Sequence, residues 1–141
     1  MTSKITIQAI VEANVAKTWE AYTHPTHITQ WNFADPSWHC PLAENDVRVG
    51  GKYSARMEAK DGSFGFDFEG IYNKVELNKE LSYHLGAELG EGREVTILFE
   101  PQGENTLVTT IFDPENENPV EMQKMGWQMI LDNFKKYVES I

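Results

Sequence analysis

Asn118-Pro119-Val120-Glu121-Met122-Gln123-Lys124-Met125-Gly126-Trp127, followed by an apolar repeat to Ile141, is the stretch that decides the fold. Asn118 suits an N-cap and Pro119 the first helical position, where a missing N–H costs nothing. Glu121, three residues past the cap, meets free N–H groups and the positive end of the dipole. The pattern predicts a long helix from here to the C-terminus. At roughly 100° per residue, Trp127, Ile130, Leu131, Phe134, Tyr137, Val138 and Ile141 share one stripe. Lys124, Gln128, Asp132, Lys135 and Glu139 make the wet face. The C-terminal half is thus an amphipathic helix seated on a core.

The N-terminal half differs. Its stripe carries Gln123 and borders Gly126, so it is part polar and part small, while Met122, Met125 and Met129 lie on the far side. Two readings stay open. Either a loop covers the methionines and Gln123 bonds a backbone group, or this end of the helix leaves space and touches something adaptable.

Upstream, Ile5, Ile7, Ala9 and Val11 alternate with polar residues as in a half-buried strand. Asn14 caps a short helix with Val15, Trp19 and Tyr22 on one face, and Pro25 opens a second through Ile28 and Trp31. Asn32 to Asp46, with Pro36 and Pro41, reads as irregular. Its bulky residues, with Trp31 just before them, are expected to cap or plug a cavity. After Gly50-Gly51 come Tyr53, Ala55, Met57 and Ala59, the turn Asp61-Gly62, then Phe64, Phe66 and Phe68. Past Gly70 the apolar phase shifts to Ile71, Val75 and Leu77, which predicts a bulge and a bend. Leu81, Tyr83 and Leu85 follow, then a turn region from Gly86 to Gly92, then Val95, Ile97 and Phe99, and Leu107, Thr109 and Ile111. The order is β-α-α-β6-α, an α+β arrangement: a curved antiparallel sheet wrapped around the long C-terminal helix, the only element long enough to cover it.

The totals narrow the function. A chain of 141 residues with 40% hydrophobic content is long enough for one well-cored domain. A net charge of −10 opposes binding to nucleic acid or anionic membranes. The single cysteine, Cys40, allows no internal disulfide and fits a reducing compartment. The N-terminus has no apolar core of a secretion signal, and no run reaches membrane-spanning length, so membrane insertion is not expected and the expected location is cytoplasmic.

No catalytic or metal-ligating set emerges, and no cofactor is expected. His24, His27, His39 and His84 are too irregularly spaced for a zinc motif, and nucleophile elbow, P-loop and dinucleotide fingerprint are missing. Asp67 and Glu69 are expected to face water near Arg56. The pocket candidates are Met57, Phe66, Phe68, Tyr83, Gln123, Trp127 and Ile130 between sheet and helix, with Trp31, Phe33, Trp38 and His39 at the mouth. Gln123, the Tyr83 hydroxyl and His39 are the polar groups placed to orient a ligand. Met122, Met125 and Met129 are interface candidates.

The chain resembles the START-like, or SRPBCC, superfamily, and within it the group named after the C-terminal domain of the activator of the ninety-kilodalton heat-shock chaperone ATPase. The matching residues are Thr18-Trp19-Glu20-Ala21-Tyr22-Thr23 with Pro25 and Trp31, Asp46-Val47-Arg48-Val49-Gly50-Gly51, Met57-Glu58-Ala59 and Asp61-Gly62. Phe68-Glu69-Gly70 with Tyr72 follow, then Glu121, Gln123, Gly126-Trp127 and Leu131-Asp132-Asn133-Phe134. The resemblance implies one START-like domain over residues 1–141, with a small hydrophobic molecule held between sheet and helix. Some members are cyclases or hydroxylases, so an enzyme acting on an aromatic or polyketide-like substrate is an alternative. An interaction module with a chaperone partner or a homodimer is another. The activator contacts its chaperone chiefly through a separate N-terminal domain, which is expected to be absent because this chain starts at the first strand.

Overall fold

The computed structural model describes residues 3–86 and 92–141; most of the turn region expected from Gly86 to Gly92 lies outside them. Strand β1 (Ile5–Val11) leads into helices α1 (Val15–Thr23) and α2 (Pro25–Trp31). Strands β2 (Trp38–Asn45), β3 (Lys52–Ala59), β4 (Gly65–Glu76), β5 (Glu80–Leu85), β6 (Glu94–Gln102) and β7 (Asn105–Phe112) follow, and α3 (Val120–Ser140) closes the chain. The sheet is antiparallel, in the order β1-β7-β6-β5-β4-β3-β2. This is the α+β helix-grip class.

Local chemistry fixes the helices. The Asn14 side chain accepts from Lys17 N at 2.8 Å and starts α1, and His24 with Pro25 starts α2. The Trp31 indole donates to the Ala21 carbonyl at 2.8 Å, folding α2 back onto α1. Asn133 Nδ2 donates to the Trp31 carbonyl at 2.8 Å and ties α3 to α2. The C-terminal half of α3 grips the core through Phe134, whose ring lies 5.1 Å from Tyr22 and 4.9 Å from Trp31, both edge-on. Phe134, Leu131 and Val138 are buried with Ile28, Ile97, Phe99, Val108 and Phe112.

Four expectations need correction. Residues 38–45 are not irregular: they form β2, paired with β3 across a register shift between His39 and Leu42. Pro41 is tolerated because it falls in that shift on an edge strand, where no ladder N–H is needed. The bulge in β4 comes later than Gly70, between Tyr72 and Lys74. Gly70 and Tyr72 therefore keep the inward phase of Phe66 and Phe68, while Ile71 and Leu77 are 46% and 71% exposed. Asn118 does not cap α3. The N-cap is Pro119 with no side-chain bond, and Asn118 instead turns its backbone N–H and Nδ2 to the Glu115 carboxylate, a charged and stronger acceptor. Finally, α3 does not cover the sheet alone. It packs chiefly on edge strand β1, while α2 packs on the opposite edge strand β2 and α1 reaches β6 and β7. The concave faces of β3, β4 and β5 are left partly uncovered.

Gly70 sets the curvature at that uncovered face. A Cβ there would lie 2.5 Å from Tyr83 Cδ2 and 3.0 Å from the His84 carbonyl. The Tyr83 ring thus rests directly on the β4 backbone. Gly70→Ala should destabilise the fold by about 1–3 kcal/mol, because the ring cannot move into the packed layer behind it; the denaturant midpoint checks this, and an unchanged midpoint would show that the ring has room.

Candidate functional site

Where the sheet is uncovered, the structure holds a cavity of about 340 Å³. Its walls come from β3 (Tyr53, Met57), β4 (Phe66, Phe68), β5 (Tyr83), β1 and β7 (Ile7, Thr110), the short helices (Tyr22, Trp31, with Asn32) and α3 (Gly126, Trp127, Ile130, Leu131). Arg93, Glu115, Asn118 and Gln123 give it a polar flank, with Met122 beside them. This volume is at the low end of the roughly 300–1,000 Å³ of small-molecule sites.

Two contacts stand the N-terminal half of α3 off the sheet. The Trp127 indole stacks on Phe112, with ring centres 3.9 Å apart and planes 9° apart, and Phe68 meets it edge-on at 5.9 Å. Gln123 clasps the segment before the helix: Oε1 accepts from Glu115 N at 2.8 Å, and Nε2 donates to the carbonyls of Asn118 at 2.8 Å and Glu115 at 3.2 Å. Between them, Gly126 borders open space, and a Cβ built there meets nothing within 4 Å. Both sequence readings of this end are therefore partly realised. Gln123 serves the backbone, and the helix still leaves a hollow. Met122, Met125 and Met129 are not covered by a loop; they are 59%, 65% and 40% exposed.

Of the residues expected around a pocket, Trp31, Met57, Phe66, Phe68, Tyr83, Gln123, Trp127 and Ile130 meet at the cavity. Phe33, Trp38 and His39 do not. Phe33 lies at a separate surface recess beside Met129. Trp38 packs edge-on against Phe64 and Phe66 at 6.0 and 6.4 Å. His39 pairs with the Glu58 carboxylate at 3.5 Å. For Trp38 and His39 the reason is shared: their place in β2 sends them along the sheet edge instead of over the opening.

Sequence reading missed Ile7, Tyr22, Asn32, Tyr53, Arg93, Thr110, Glu115, Asn118, Met122 and Leu131 as lining residues. Tyr53 was accessible by alternation, since it shares a strand face with Met57. Asn32 and the polar flank gave no periodic signal.

The electrostatics of the inner wall are those of neutral phenols. Burial pushes the Tyr53 and Tyr83 hydroxyls well above the ordinary tyrosine range, and the hydroxyls of Tyr22 and Tyr72 push in the same direction. Burial also raises Tyr22, as does Tyr72, with the nearby Thr110 hydroxyl pulling the other way. Asn32 Nδ2 donates to the Tyr53 hydroxyl at 3.0 Å, and the Tyr72 hydroxyl donates to Asn45 Oδ1 at 2.7 Å. Arg93 donates from Nε to the Asp113 carbonyl at 3.1 Å, and the Glu115 and Asp113 carboxylates oppose the effect of its partial burial. Asp67 pairs with Arg56 at 3.6 Å, whereas Glu69 goes to Lys52 at 2.9 Å. Among the described residues no three His, Cys, Asp or Glu side chains gather as a metal site requires. No helix among them is long and apolar enough to cross a membrane.

The family model described as "Activator of Hsp90 ATPase homolog 1-like protein" matches residues 12–139. The chain belongs to this family. Among solved structures, the AHSA1-like protein of Aeromonas hydrophila is 41% identical with a TM-score of 0.88, covering 97% of this chain and 92% of that one. A protein from Cytophaga hutchinsonii is 44% identical with a TM-score of 0.82 and the same coverage, 97% and 92%. A Chromobacterium violaceum protein, 22% identical with a TM-score of 0.86 over 99% of both chains, shares the fold. No curated protein matches the chain.

Gly126 gives a sharp test of the hollow beneath α3. Gly126→Ala removes a helix-interior glycine without creating a contact, so it should stabilise the protein by about 0.5–1 kcal/mol. Thermal or denaturant melting reads the gain; a loss would mean that the site is filled.

Proposed function

We propose that this chain binds a small, mostly apolar molecule in the cavity between the curved sheet and the N-terminal half of α3, as a carrier or sensor without chemistry of its own. The observation that carries the reading is the hollow of about 340 Å³ at Gly126, walled by aromatic rings of three adjacent strands and by Trp127. A Cβ at position 126 would meet nothing within 4 Å, yet the position is glycine. Aromatic walls with a few polar groups at one flank are the usual composition of a ligand site. A panel of fatty acids, sterols and planar aromatic compounds tests it. At about 100 times its Kd, a true ligand adds about 2.7 kcal/mol by linkage, a rise of several degrees in Tm. Gly126→Phe, which fills the hollow, should abolish that rise while leaving the unliganded protein folded. No shift with any compound, or equal shifts in the variant, would overturn the reading.

A second reading is favoured by one observation, the exposure of Met122, Met125 and Met129 along one side of α3. Adaptable thioethers on an unpaired helix face suit a protein partner, either a second copy of this chain or the chaperone that the family description names. Sedimentation of wild type beside Met125→Glu tests the dimer: a concentration-dependent dimer lost in the variant supports it, and monomer in both removes it. Stimulation of a chaperone ATPase, lost in the same variant, is the corresponding result for the other partner.

A further inference from the structure

Tyr22, Tyr53 and Tyr83 line the cavity, and Tyr72 packs against the Tyr83 ring. Two of these hydroxyls are engaged: Tyr53 accepts from Asn32, and Tyr72 donates to Asn45. Tyr83 has no hydrogen-bond partner among the described residues, although the residue is only 5% exposed. Every fully enclosed side-chain nitrogen or oxygen in the described structure has a partner. The Tyr83 oxygen is therefore not enclosed: it borders the hollow that its ring helps to line.

A buried polar group left without a partner is costly, and phenylalanine would pack the same ring without that cost. The ring is also held in place. It lies against the Gly70 backbone, with Tyr53 at 5.7 Å, Tyr72 at 5.8 Å and Phe68 at 6.4 Å around it. A phenol fixed in this way presents its O–H to whatever enters, with little reorganisation on binding.

We infer that the ligand is an uncharged aromatic molecule bearing a carbonyl or comparable acceptor oxygen, and that this oxygen takes its hydrogen bond from the hydroxyl of Tyr83. The inference rests on the cavity being a ligand site and adds the class of ligand. The aromatic part follows from the walls, where Trp31, Phe66, Phe68 and Trp127 offer faces and edges that pair with a ring. The lack of charge follows from the lining. The charged groups among its described lining residues are one cation, Arg93, which donates to the Asp113 carbonyl, and one anion, Glu115, and the phenols stay protonated, so an ionised group has no unbalanced counter-charge at the inner wall. The acceptor follows from the phenol, whose proton is the stronger half of its hydrogen-bonding capacity and is unused.

Two probes of nearly equal shape separate the claims: 2-acetonaphthone, which carries a carbonyl, and 2-ethylnaphthalene, which does not. Their Kd values are read by quenching of tryptophan fluorescence for wild type, Tyr83→Phe and Tyr72→Phe, with a melting curve for each protein. Wild type should prefer the ketone by about three- to tenfold, the worth of one neutral hydrogen bond. Tyr83→Phe should erase that preference by weakening the ketone alone, while its melting temperature stays level or rises. Tyr72→Phe, whose hydroxyl serves Asn45 and not the cavity, should keep the preference. Equal affinity for both probes in wild type, or a preference that survives Tyr83→Phe, overturns the acceptor inference and leaves the cavity reading standing. A Tyr83→Phe protein that melts lower and loses both probes equally also overturns it, because the hydroxyl would then be structural. If neither naphthalene binds, the inference falls; if the wider panel is silent as well, the cavity reading falls with it.

Discussion

The stack of Trp127 on Phe112 separates a helix that grips from a helix that spans. C-terminal to it, α3 is pressed into the core through Leu131, Phe134 and Val138, and Phe134 meets edge-on the rings of Tyr22 and Trp31, which also touch each other. N-terminal to it, the helix is held by a flat ring on a flat ring and by the Gln123 amide. Two indirect supports, one apolar and one polar, hold that half in place without bringing it down onto β3, β4 and β5. The hollow results from that separation, and its rigidity follows from the supports being a locked stack and a three-point amide clasp rather than long flexible side chains.

Curvature does the complementary work. Helix α3 is drawn to the β1 edge and α2 to the β2 edge, so the middle of the concave face is roofed only where the elements meet. The bulge at Asn73 and the close approach of Tyr83 to Gly70 bend the sheet at that middle. A flat sheet of the same strands would present these aromatics to water; bent, it turns them toward one another.

Much of this was legible in the chain. The period of α3 and its two unlike halves came from residue spacing, and the alternation in β1 and β3 gave the inward faces of Ile5, Ile7, Tyr53 and Met57 correctly. What failed had physical causes. Pro36 and Pro41 masked β2, since propensity counts a proline against a strand without knowing that it sits at an edge irregularity. The glycine at position 70 drew the bulge to itself, although its role is to admit a ring. Asn118 looked like a cap, but a nearby carboxylate outcompeted the backbone for it. The polar side of the cavity, with Arg93, Glu115 and Asn118, comes from segments without periodicity, and only tertiary placement brings them together. Among the polar groups picked out in advance, His39 left for the edge and Gln123 was consumed by the clasp, while Tyr83 stayed with its hydroxyl unspent.

Position 126 has a consequence for how such a scaffold diversifies. Because nothing lies within 4 Å of a Cβ at this position, the first step of filling the hollow, glycine to alanine, leaves the ladder, the turns and the aromatic cluster farther along untouched. The size of the hollow and the integrity of the fold are thereby written at different addresses, and a lineage can alter the one while inheriting the other intact.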